Sequence, residues 1–176
     1  MRTIDPHIWL SPDIAADIVN LTAASLGAMD PENADTYSAN AMRTNEHIQM
    51  LSGKLEERLA PLTGEAFIVY HDAYRYFERE TGLNAVAAIT VSPEYSPGAR
   101  HLQELADLVT EQNIRCVFSE PQFQPRILGF LEDDLGLEVS TLDPLGAEYK
   151  PGPELWFSLM EDIADSLAAC LSHGDQ

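Results

Sequence analysis

The sequence predicts an α/β fold: a four-stranded parallel sheet flanked by helices and preceded by a long helical segment serving as linker or backbone. Three observations carry this reading. Helical periodicity dominates the chain up to Pro61, four short apolar runs follow Gly64, and a helix-length stretch succeeds each run. That alternation is the pattern of strand–helix units, because parallel neighbours need a crossover of roughly a dozen residues or more.

Ser11-Pro12 pairs a good N-cap residue with proline at the first helical position, and Ile14, Ile18 and Leu21 then recur at helical spacing, predicting a helix over residues 12–26. Asp30-Pro31 repeats the start signal. Tyr37, Ala41, Ile48, Leu51, Leu55 and Leu59 continue an apolar stripe. A helix over residues 31–60 would be roughly 45 Å long, enough to brace one side of a protein or to join two lobes. Strands are predicted over residues 66–70, 85–91, 115–119 and 138–142. Their helices fall over residues 72–81, from Ser96-Pro97 to Asn113, over 125–135, and over 153–171. The chain thus divides into an N-terminal helical segment, residues 1–64, and a C-terminal α/β unit, residues 65–176.

Composition narrows the function. Of 176 residues 45% are apolar and 22% charged, which are globular proportions. No run approaches the about 20 apolar residues of a membrane span. With 29 acidic against 10 basic side chains the formal net charge is −19, a surface that repels phosphate backbones and anionic lipid and concentrates cations. Neither nucleic acid nor membrane insertion is expected. Met1, Arg2 and Thr3 lead directly into Ile4 and Asp5 with no apolar leader, so targeting gives no compartment. Cys116 and Cys170 do not form a CxxC, which argues against a zinc ribbon or a thioredoxin-like pair. Pairing across the fold and two separate thiols both remain open from spacing alone.

The chemistry gathers by position. His71 is expected directly after the first strand, Glu120 after the third and Asp143 after the fourth. Ligands of open parallel sheets bind outside the carboxyl ends of the strands, so the three point toward one rim. An imidazole with carboxylates suits a divalent transition ion, and His7 could add a second nitrogen. Ordinary capping and loop roles compete with this reading, since no short chelate motif such as HExxH is present. A hydrolase-like enzyme using Cys116 or Ser119 with His71 and Asp143 lacks a GxSxG elbow, and no strand is followed by GxGxxG or GxxxxGK[ST]. His47 and His101 read as solvated side chains, His173 belongs to a frayed tail, and Trp9, Trp156, Tyr74, Tyr76 and Phe77 read as packing aromatics.

Five motifs in register run along nearly the whole chain: Asp5-Pro6-His7-Ile8-Trp9-Leu10-Ser11-Pro12, Asp30-Pro31-Glu32-Asn33 with Tyr37, Tyr70-His71-Asp72-Ala73-Tyr74-Arg75-Tyr76-Phe77, Phe118-Ser119-Glu120-Pro121-Gln122 and Leu142-Asp143-Pro144-Leu145-Gly146. In order and spacing they resemble the zinc and manganese substrate-binding proteins of ABC importers, most strongly the zinc-binding, ZnuA-like branch. The resemblance implies that His7, His71 and Asp143 hold the metal, and that Glu120 orients a ligand. It also implies zinc as cargo, an inner-membrane ABC permease as partner and no catalysis. Manganese-binding relatives place glutamate where this chain has His71, and imidazole there favours zinc over manganese or iron. Cys116 and Cys170 match a disulfide of the zinc-binding branch, which implies an oxidising compartment, the periplasm. The family has two lobes joined by a long helix. The resemblance begins where the first lobe ends, so the chain is expected to be the C-terminal, metal-binding lobe with the backbone helices. It then lacks one histidine ligand, His7 loses its packing partner, and zinc is expected to bind weakly.

Overall fold

The computed structural model describes residues 4–90, 98–123 and 127–172. Its first helix, α1 (Pro12–Met29), starts where the N-cap predicts: Ser11 Oγ accepts from the Ile14 amide at 3.0 Å. A 3₁₀ turn, Pro31–Asn33, then leads into α2 (Ala34–Leu59), and a second turn, Ala60–Leu62, ends it. The long helix is therefore shorter than expected, about 39 Å, because both of its proline-marked ends tighten into 3₁₀ geometry.

The sheet comprises β1 (Phe67–His71), β2 (Ala85–Thr90), β3 (Cys116–Ser119) and β4 (Glu138–Thr141), all parallel and in the order β2-β1-β3-β4. The connecting helices are α3 (Arg75–Thr81), α4 (Ala99–Gln112) and α5 (Ile127–Asp133), and α6 (Leu155–Leu171) closes the chain. The predicted positions at Val91, Ser96, Pro97, Pro125 and His173 lie outside the described residues.

Strand alternation divides the core in two. Phe67 and Val69 of β1, with Cys116 and Phe118 of β3, pack against Leu51, Leu55 and Leu59 of α2, Phe77 of α3 and the buried side of α6. Ile68, Tyr70 and Val117 face the other way, onto Leu105 and Val109 of α4 and onto Leu131. Helices thus cover both faces, as the near-continuous apolar strands require. The C-terminal part of α2 is built into the first cluster, so core contacts cross residue 64. By contrast α1 packs chiefly along α2, and Ile18 and Leu21 of its predicted apolar stripe stay exposed.

Cys116 and Cys170 form the disulfide that joins β3 to α6. His47 is exposed. His101 is not fully solvated as expected: Nε2 lies 3.2 Å from the Ala88 carbonyl on the edge strand β2.

Candidate metal centre

His71 is the last residue of β1 rather than the first residue beyond it. That one-place difference matters, because residues 67, 69 and 71 share a strand face and His71 therefore points to the side where Leu10 is wholly buried. β1 pairs with β3 through Phe67↔Cys116 and Val69↔Phe118, and the same offset carried two residues on sets His71 beside Glu120. The side chains meet: His71 Nδ1 lies 2.5 Å from Glu120 Oε1, with 11% and 2% of the two side chains exposed. The approach is close but poorly aligned, and neither atom completes a hydrogen bond. In the order β2-β1-β3-β4, β1 and β3 flank the point where the crossovers diverge, which is where open sheets form their ligand crevice.

The second imidazole arrives from the N-terminal segment. His7 Nε2 lies 3.4 Å from His71 Nε2, with ring centroids 5.2 Å apart. Two nitrogens bound to one tetrahedral zinc at about 2.0–2.1 Å would be separated by about 3.3–3.4 Å, so the pair has the spacing of two zinc ligands. At the far side of the His7 ring, Nδ1 sits 2.7 Å from Asp5 Oδ1. Each ring therefore has a carboxylate at Nδ1 and turns Nε2 to the other ring, the usual way a protein orients metal-binding histidines.

The segment carrying His7 is firmly packed, contrary to the expectation that it would lack a partner. Trp9 donates its indole N–H to the Pro144 carbonyl at 2.8 Å, and Trp156 donates to the Trp9 carbonyl at 2.7 Å. Ser11, wholly buried, donates to Glu80 of α3, and Tyr76 Oη donates to the Asp5 carbonyl at 3.3 Å. The residues read from sequence as packing aromatics use their polar atoms to fasten the segments that carry His7 and Asp143.

Asp143 lies just past β4. Its Oδ1 accepts from Gln122 Nε2 at 2.7 Å and the Leu145 amide at 3.0 Å, and its Oδ2 accepts from the Ala147 amide at 2.5 Å. Gly146 enables the turn with φ 65°, close against Leu159 of α6, where a side chain would be strained and crowded. The phenol of Tyr74, buried between these segments, donates to the Leu142 carbonyl at 3.2 Å. Burial first, and then the charges of Glu120 and Asp143, push its pKa well above the usual phenol value, so it stays a protonated donor.

Four of the five buried side-chain polar atoms left without a hydrogen bond among the described residues belong to this rim: Asp5 Oδ2, His71 Nδ1, Glu120 Oε1 and Gln122 Oε1. Three are oxygen acceptors; two belong to the carboxylates that stand behind the imidazoles, away from the facing Nε2 atoms, and imidazoles backed in this way suit a divalent cation. No group of three His, Cys, Asp or Glu side chains among the described residues is gathered closely enough to hold a metal. The two histidines stand together, with no third such side chain joining them in a metal-holding group among those residues. Of the two nucleophiles the hydrolase reading named, Cys116 is in the disulfide, and Ser119 donates to the Ser140 carbonyl at 2.9 Å. Asp5 and Gln122 escaped the sequence reading, although the motif letters around His7 and after Glu120 contain both.

A family model described as zinc-uptake complex component A, periplasmic (ZnuA), matches residues 2–170. The high-affinity zinc uptake system protein ZnuA of Brucella suis is 43% identical over 172 residues, 96% of this chain and 50% of that protein. Its counterpart from Yersinia pestis is 32% identical over 165 residues, covering 94% and 52%. A crystal structure of ZnuA superposes with a TM-score of 0.85 at 32% identity, over 96% of this chain and 63% of that one. The chain spans about half the length of the curated relatives it matches.

Proposed function

The chain belongs to the ZnuA family of periplasmic zinc-uptake components, and from that premise we propose that it forms the C-terminal half of a zinc-binding protein that serves an ABC importer. The observation that carries this is the pair of Nε2 atoms 3.4 Å apart, each ring backed by a carboxylate. His7 and His71 are the nitrogen ligands in this reading. Asp143 is the carboxylate that completes or closely flanks the shell, and Glu120 orients His71. Zinc is cargo, released to an inner-membrane permease, so the protein acts as a carrier and not a catalyst.

Residues 65–176 act as the metal-binding lobe and residues 1–64 as the segment whose helices link it to the rest of the carrier. The remaining coordination comes from the part of the relatives that this chain does not span. Two imidazoles face each other but no third His, Cys, Asp or Glu joins them among the described residues, so this chain alone should hold zinc less tightly than a protein of the relatives' full length. The disulfide between Cys116 and Cys170 fits an oxidising periplasm. Chelator competition with zinc on the chain and on its His7→Ala and His71→Ala variants tests the reading. Each substitution should abolish measurable binding, and zinc affinity unchanged in both would refute the site.

A further inference from the structure

The Nδ1 contact between Asp5 and His7 decides more than ring orientation. Asp5 Oδ1 accepts the His7 backbone N–H at 3.0 Å and lies 2.7 Å from His7 Nδ1. An ionised carboxylate only accepts, so the imidazole nitrogen facing it must carry the proton. Neutral imidazole has one N–H, and Nε2 is then bare. Left to water, neutral histidine favours the opposite tautomer, with the proton on Nε2, where it would block a metal.

We infer that Asp5 is a positioning residue that holds His7 in its Nδ1-protonated tautomer and so presents Nε2 to a divalent cation. The last clause rests on the zinc reading above; the tautomer itself does not. Asp5 is placed for this by its surroundings. Its carbonyl is held by Tyr76 Oη at 3.3 Å, and the turn after it is closed by the Ile8 amide on the Pro6 carbonyl at 2.8 Å. Only 17% of its side chain is exposed, and Oδ2 is buried without a partner, so the described hydrogen bonds of this carboxylate both go to His7. Glu120 stands at the same nitrogen of His71, but there the approach completes no hydrogen bond, so the tautomer is fixed by contact only at His7.

The proton's location can be read without metal. Long-range ¹H–¹⁵N correlation of the metal-free protein at about pH 8, where ordinary imidazoles are neutral, distinguishes the tautomers directly. His7 should be the Nδ1–H form in the wild type and mainly the Nε2–H form in Asp5→Ala. Zinc affinity of that variant should fall about 10–100-fold, the range for losing a residue that orients a metal-binding histidine. Asp5→Asn keeps an acceptor but not the charge, so its Nε2–H fraction should lie between the two, and this variant decides the matter if the alanine protein does not fold. Three results overturn the inference: a wild-type His7 already in the Nε2–H form, variants whose tautomer matches the wild type, or a changed tautomer with unaltered zinc affinity. Failure of the zinc reading would look different. The wild-type protein would then bind no zinc while showing the inferred tautomer.

Discussion

The indole N–H of Trp9 donates to the carbonyl of Pro144 at 2.8 Å, fastening the segment that carries His7 to the loop that carries Asp143. Two stretches 135 residues apart in the chain thus share one anchor, and Trp156 braces the same point from α6 through the Trp9 carbonyl. The anchor lies between a proposed nitrogen ligand and a proposed oxygen ligand, so weakening it should loosen both.

Trp9→Phe keeps the aromatic bulk but removes the donor, leaving the Pro144 carbonyl without its partner. Stability should fall by about 1 kcal/mol, the usual net worth of such a bond, and zinc affinity should drop about tenfold as the two loops lose register. Thermal unfolding and chelator competition on the same preparations check the two effects. An affinity equal to the wild type would show that the loops hold their geometry without the indole.

Glu120→Gln should weaken zinc binding by about 10–100-fold while leaving the circular dichroism spectrum unchanged, because the carboxylate beside His71 is lost but the shape of the buried side chain is kept. Calorimetric titration with zinc measures it. Equal affinity would reassign Glu120 to a purely structural part of the rim.

Replacing both Cys116 and Cys170 by serine opens a link that closes a 54-residue separation, worth about 4 kcal/mol in the chain-entropy model. The urea midpoint of the double variant should fall accordingly, and reducing agent should lower the wild-type midpoint but not the variant's. If dithiothreitol leaves the wild-type curve in place, the link contributes little to stability.

Glu78 of α3 gives a pH signature of its own. Burial raises its carboxyl to about 7, against the lowering effect of its hydrogen bond with the Ala85 backbone. With the folded value above the unfolded one, the native state binds more protons between about pH 4.5 and 7, and stability contributed by this group is lost as pH rises through that window. Glu78→Gln retains an acceptor for the backbone and removes the charge. The variant should be more stable than the wild type by about 1–2 kcal/mol at pH 8, after allowing for solvent screening of a half-buried group, and about equal to it at pH 4. Urea denaturation at both pH values checks this; a constant difference at the two would exclude Glu78 as its source.

The fold was legible because its signals are local. Proline after a cap residue starts α1, apolar spacing sets the buried face of α2, and the short apolar runs mark every strand to within a residue or two. Where boundaries moved, backbone geometry moved them: the proline-marked ends of the long helix became 3₁₀ turns, and β1 extended by one residue to include His71. Neither change depends on an unusual residue, so neither left a mark in composition or periodicity.

The chain's own order of residues determined the alternation of strand and helix, the acidic surface, and the placing of His71, Glu120 and Asp143 at the carboxyl ends of their strands. Tertiary structure alone decided that His7 folds back to face His71 at 3.4 Å, that Asp5 stands behind the first ring and Glu120 behind the second, and that Trp9 ties the two loops. The reason is range. Helix and strand preferences act over a few residues, whereas a pair of facing imidazoles 64 residues apart is set by sheet register and by the packing of a terminal segment, which no short window of sequence contains.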